Sequence, residues 1–165
     1  MTALETGANA PDFTLPSVGG EQFSLHDALQ RGPAVLAFFK ITCPVCQLAF
    51  PFIERLYKAH NRGKVTFVGV SQNDLSGTNA FLKEYGITFP VLLDDRSRYP
   101  VSNAFGITNV PTVFLVGPDG EIEQSIVGWD RNEMELLHRR LTELAESTPP
   151  QLFLPGEDVP QFKAG

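Results

Sequence analysis

The sequence predicts an α/β domain: a mixed central sheet flanked by helices on both faces, preceded by an extended N-terminal segment. Three observations carry this. Short apolar runs alternate with helical patterns along most of the chain. A strong hairpin signal, Gly117-Pro118-Asp119-Gly120, joins the last two runs. The only two cysteines stand as Cys43-Pro44-Val45-Cys46 where an apolar run gives way to a helix.

Residues 7 to 25 are extended and turn-rich: Ala10-Pro11-Asp12-Phe13-Thr14-Leu15-Pro16 alternates weakly and Gly19-Gly20 marks a turn. Ala34 to Phe39 is continuously apolar, with β-branched and aromatic members, as in a buried central strand. A helix is predicted from Pro44 to about His60, with Leu48, Phe52, Leu56 and Ala59 at helical spacing. Pro51 inside it removes a backbone donor and should kink it. Val65 to Val70 is a second strand, and Ser71-Gln72-Asn73-Asp74 favours a loop. A short helix over Thr78 to Tyr85 closes at Gly86. Val91 to Leu93 reads as a short strand and Val101 to Phe105 as a helical turn ending at Gly106. Thr112 to Val116 and Ile122 to Val127 form the hairpin strands, and Asp130 with Glu133 makes a capping box for a helix to about Glu146. The domain is therefore placed at 1–146, followed by a Pro-rich tail at 147–165. In that tail Leu152, Phe153 and Leu154 are costly to leave in water, so an extended strap docked on the domain is expected.

With 165 residues the chain has room for one sizeable core. Thirteen Phe against three Tyr and one Trp predict a phenylalanine-rich interior. A net charge of −6 argues against a nucleic-acid partner, since Arg131, Arg139 and Arg140 are interleaved with acids on one solvated helix face. No apolar stretch is long enough to span a bilayer. The first twenty residues lack a basic start and an apolar signal core, so a cytoplasmic location is expected, with the dithiol as resting state.

The cysteine spacing points to reversible dithiol/disulfide chemistry. A helix starting at Pro44 leaves Cys43 at its N-cap, where unpaired N–H groups and the positive dipole end favour a thiolate. Cys43 would then attack, and Cys46, one turn on, would resolve the mixed disulfide. Pro44 suits the first helical position, where its missing N–H has no partner to lose. Structural zinc would want four ligands, whereas there is no second CxxC and His26, His60 and His138 are scattered. A static disulfide across so short a loop would stabilise little. Neither metal nor cofactor is expected.

The chain resembles the TlpA-like and redoxin branch of the thioredoxin fold, which overlaps the alkyl hydroperoxide reductase/thiol-specific antioxidant grouping. The resemblance runs from about Gly7 to Leu144. It is carried by Ala10 to Leu15, Ala37-Phe38-Phe39 before the CxxC, Phe50-Pro51 after it, Tyr85 to Asp94, Phe105-Gly106-Ile107, Val110 to Leu115 and Pro118-Asp119-Gly120. It implies a cis-proline at Pro111 facing the thiols, with the Val110 carbonyl and N–H free to pair with an extended substrate. Thr42 and Pro44 flank Cys43 as further substrate-contacting positions.

Three departures from the family pattern matter. Thr42 stands where thioredoxins usually carry Trp. Ala37 and Ala49 occupy the places of the acids that usually accept the second thiol's proton, leaving Glu54 as the nearest carboxylate candidate in the helix. Lys40 could favour the thiolate, although a lysine at a strand end is commonly just exposed. The peroxiredoxin pattern Pro-x-x-x-Thr-x-x-Cys would put proline at Phe39, threonine at Cys43 and the peroxidatic cysteine at Cys46; only the last matches.

The expected function is a thiol-disulfide oxidoreductase acting as a reductase on protein or small-molecule disulfides, recharged by a thiol electron donor. Its potential should lie nearer the roughly −270 mV of thioredoxin than the −120 mV of strong oxidants, because Pro44 and Val45 bring no charge to the thiolate. A thiol peroxidase is the alternative, and a soft-metal (copper) carrier stands further behind because no Met or His lies nearby in sequence.

Overall fold

The computed structural model of the chain describes residues 2–60, 64–145 and 151–165. Its elements are β1 (Thr14–Pro16), β2 (Gln22–Ser24), α1 (Leu25–Leu29), β3 (Ala34–Phe39), α2 (Pro44–His60), β4 (Thr66–Ser71), α3 (Leu75–Tyr85), β5 (Val91–Leu93), α4 (Pro100–Ala104), β6 (Thr112–Val116), β7 (Ile122–Val127), β8 (Trp129–Asp130), α5 (Arg131–Ala145) and β9 (Phe162–Lys163). The expected domain boundary at 146/147 and helix end at Glu146 lie outside the described residues.

The central sheet has the order β5-β4-β3-β6-β7, with β3, β4 and β5 parallel and β6 and β7 antiparallel to their neighbours. All six residues of β3 are buried, as its unbroken apolar run requires of a strand covered on both faces. Successive side chains of a strand point to opposite faces. Val35, Ala37 and Phe39 therefore meet the core formed with α2, α3 and α5, and Leu36 and Phe38 meet the core formed with α1, α4 and the N-terminal segment.

Phenylalanines knit both layers. Phe39 packs on Phe50 and Phe81, with ring centroids 4.2 and 5.1 Å apart, while Phe38 packs on Phe105 and Phe114 at 5.2 and 5.8 Å. Each fully buried ring stabilises the fold by about 1.5–3 kcal/mol relative to exposure.

Helix α2 runs unbroken through Pro51, which lies on its exposed side. Its buried stripe is Ala49, Phe50, Phe52, Ile53 and Leu56, whereas Leu48 and Ala59 are only half-buried. Helix α3 starts at Leu75, three residues before the expected Thr78, because the Asp74 side chain accepts from the Gly77 N–H at 2.8 Å and acts as N-cap. Helix α1 was not anticipated; Ser24 caps it through the Asp27 N–H. Helix α4 begins at Pro100, and the buried Asp94 carboxylate accepts from the Val101 and Ser102 N–H groups at its start.

At α5 only half of the capping box forms. Asp130 accepts from the Glu133 N–H at 3.1 Å, but the Glu133 carboxylate turns to Gln124 Nε2 at 3.0 Å. Arg131 is also no simple solvated residue: its guanidinium lies 5.1 Å over the Phe153 ring.

The end of the chain crosses the domain as an extended strap. Leu152 and Phe153 are buried, while Leu154 is exposed. Phe153 packs against Phe52 and Trp129, Arg55 forms a two-pronged pair with Glu157 at 2.9 and 2.8 Å, and β9 pairs antiparallel with β8.

Candidate active site

The β3–β6 register pairs Phe38 with Thr112, which sets the loop after β3 beside the residues that lead into β6. That loop is held from two sides. Asn73 Oδ1 accepts from the Ile41 N–H at 2.9 Å, and Gln47 Nε2 donates to the Ile41 carbonyl at 3.0 Å. Gly77 lets α3 approach this loop: a Cβ there would fall 2.7 Å from Ile41 Cδ1. In the sequence Asn73 stands out only as a loop former and Gln47 not at all, because a supporting amide carries no motif.

Cys43 ends the loop immediately before α2. The Gln47 N–H donates to the Cys43 carbonyl at 3.0 Å, the first turn of the helix, and the Cys46 N–H donates to Cys43 Sγ at 3.2 Å. The thiol thus takes the position an oxygen would hold at an N-cap. Both cysteines are free; Cys43 is half-buried and Cys46 fully buried. Burial, and secondarily the Cys43 side chain beside it, push the Cys46 thiol well above the ordinary thiol range, with Lys40 opposing the shift.

The Val110–Pro111 peptide bond is cis, and Pro111 is buried. The loop before it is fixed by Thr112 Oγ1 donating to the Asn109 carbonyl at 2.7 Å. Cys43 Sγ donates to the Val110 carbonyl at 3.3 Å, so that carbonyl is not free as expected but already engaged by the thiol. Thr42 and Pro44 are exposed on either side of Cys43.

Glu54 does not serve the thiols. Its buried carboxylate accepts from the Thr88 N–H at 2.8 Å, the Thr88 hydroxyl and the Phe89 N–H at 3.2 Å, with Lys58 one turn away at 3.7 Å. It staples α2 to the segment leading into β5. His60 and His138, scattered in sequence, meet at 3.0 Å between α2 and α5, remote from any cysteine partner. Among the described residues no three His, Cys, Asp or Glu side chains gather as a metal site, and no helix is long and apolar enough to cross a membrane.

A two-cysteine helix head facing a cis-proline loop on a five-stranded mixed sheet defines a thioredoxin-fold dithiol oxidoreductase. The AhpC/TSA family model matches residues 6–125. The chain belongs to that family. It is 30% identical to the thiol-disulfide oxidoreductase ResA of Geobacillus kaustophilus over 128 residues, 77% of this chain and 72% of that protein. The Bacillus subtilis protein of the same name is 31% identical over 127 residues, 76% of this chain and 69% of its own length. Among solved structures, the thioredoxin domain of a thiol-disulfide oxidoreductase from Bacteroides vulgatus superposes with a TM-score of 0.74 at 22% identity, covering 83% of this chain and 97% of that one, and so supports the fold.

Proposed function

We propose that the protein works as a disulfide reductase of the TlpA-like redoxin branch, with Cys43 attacking and Cys46 resolving. The observation that carries the reading is the placement of Cys43 Sγ, half-exposed at the head of α2 and within 3.2 Å of the Cys46 N–H. An ionised Cys43 keeps that N–H and gives up its own donation to Val110, which releases the carbonyl towards a substrate backbone.

The Cys43 thiolate attacks one sulfur of the substrate, the substrate S–S bond breaks, and its other sulfur leaves as a thiolate. Cys46 then loses its proton to water or to that departing thiolate and attacks Cys43 Sγ. The products are a Cys43–Cys46 disulfide and a reduced substrate; a thiol donor reverses the change in the protein. Thr42 and Pro44 flank the reacting sulfur, and Val110 with Pro111 faces it. In a reducing cytoplasm, the compartment proposed here, the dithiol is the resting form.

Peroxidase chemistry at Cys46 is disfavoured by its burial and raised thiol pKa, because the thiolate is the reactive species. The deciding experiment compares disulfide reduction and peroxide turnover in wild type, Cys43→Ser and Cys46→Ser. Stable mixed disulfides trapped by Cys46→Ser, with no peroxide consumed by any form, support the reading. Peroxide turnover retained by Cys43→Ser would move the chemistry to Cys46.

A further inference from the structure

We propose that the Ala164–Gly165 segment of the strap, just past β9, is a specificity element. It covers the Val110 side of the thiol site, so bulky disulfide partners must displace it while small disulfides reach Cys43 past it. The inference rests on the assignment of Cys43 as the attacking thiol.

The strap is fastened firmly upstream. Arg55 donates to the Leu152 carbonyl at 2.6 Å and to Glu157, Trp129 Nε1 donates to the Pro160 carbonyl at 2.7 Å, and the Arg131 N–H donates to the Gln161 carbonyl at 2.9 Å. Beyond Lys163 the hold is lighter. Asn109 Nδ2 donates to the Gly165 carbonyl at 2.8 Å, and two glycines bring bare backbones together. A Cβ on Gly165 would fall 2.7 Å from the Val110 carbonyl oxygen and 3.2 Å from Gly128 Cα, and one on Gly128 would fall 2.6 Å from the Lys163 carbonyl oxygen.

The Val110 carbonyl is therefore approached both by the Cys43 thiol and by Gly165. An extended polypeptide that paired with the Val110 backbone would need the space that Gly165 fills. A small disulfide needs only the sulfur itself, which the exposed Thr42 and Pro44 leave approachable. Because the Arg55, Trp129 and Arg131 anchors and the β8–β9 pairing all lie upstream of it, this lightly held segment can lift while Leu152, Phe153 and Glu157 stay seated.

The test uses a chain lacking residues 164–165 and, to guard against misfolding of that truncation, Asn109→Ala with those residues in place. The readout is the rate of Cys43 labelling by N-ethylmaleimide and by lysozyme carrying one maleimide, reagents that share a reactive group and differ in bulk. Truncation is expected to raise the bulky-to-small rate ratio by roughly tenfold, and Asn109→Ala, which removes one hydrogen bond, by roughly fivefold. The ratio of kcat/KM for insulin to that for glutathione disulfide should rise in parallel. An unchanged labelling ratio in both variants overturns the proposal. A wild type that reduces neither disulfide, with the labelling ratio still shifted, would instead overturn the reductase reading and leave the strap's gating in place.

Discussion

Cys43 Sγ lies 3.3 Å from the carbonyl oxygen of Val110, although 67 positions separate the two residues in the chain. The contact follows from the sheet. Strands β3 and β6 are antiparallel neighbours, so the C-terminal end of one and the N-terminal end of the other open on the same edge. The register thus brings thiol and backbone acceptor to one end of the sheet, and the Asn73, Gln47 and Thr112 hydrogen bonds hold the two loops there.

The two thiols should react very differently. N-ethylmaleimide near neutral pH is expected to modify Cys43 at least roughly 100-fold faster than Cys46, because Cys46 is buried and its thiolate is scarce. Peptide mapping by mass spectrometry after timed quenching reads the ratio. Comparable rates would contradict the assignment of attacker and resolver.

Glu54 should matter for stability and not for chemistry. Glu54→Ala leaves the Thr88 and Phe89 N–H groups without their acceptor and is expected to cost about 2–3 kcal/mol in urea unfolding. The Cys43 labelling rate in the folded variant should stay within about twofold of wild type. A large fall in that rate would restore Glu54 as a partner of the thiols.

His60 should make the fold acid-sensitive. Burial, and secondarily the neighbouring His138, pull its pKa from 6.5 down to about 4. Between these values the unfolded chain binds a proton that the folded chain refuses, so this group's contribution is complete above the unfolded pKa and is lost as pH falls. Stability should decline from pH 6.5 towards 4 with a slope of up to roughly 1.4 kcal/mol per pH unit. Urea midpoints across that range measure it, and His60→Gln should flatten the profile.

Phe153 should hold the strap. Its ring packs against Phe52 and Trp129 at centroid separations of 5.3 and 6.0 Å. Phe153→Ala is expected to speed limited proteolysis between residues 151 and 165 by at least roughly tenfold, while the five-stranded sheet keeps its protection. Uniform loss of protection throughout would mean that strap and domain unfold as one unit.

Much of the architecture was legible because it is written locally. The apolar run Ala34–Phe39, the Gly117 to Gly120 turn and Pro44 after Cys43 each specify a shape through neighbouring residues, and the structure carries all three. The long-range contacts, one of them a support of the thiol loop, were not legible because they join residues far apart in the chain. Asn73 reaches Ile41 across 32 positions, Glu54 reaches Thr88 across 34 and His60 reaches His138 across 78. The two-residue strands β8 and β9 are too short to show alternation. Docking of Leu152 and Phe153 could be foreseen from their hydrophobicity, but the course of the strap to Gly165 could not, since it depends on the bare backbones of two glycines.

The single tryptophan of the chain, Trp129, is fully buried beside Phe52 and Phe153, with its indole N–H on the Pro160 carbonyl. Its ring and its hydrogen bond both sit at the seam between domain and strap. Lifting the upstream strap would wet the indole and shift its emission to longer wavelength, whereas release of residues 164–165 alone, with the β8–β9 pairing kept, would leave the spectrum nearly unchanged. The protein thus carries an optical gauge, needing no added label, that separates a raised tip from a detached strap.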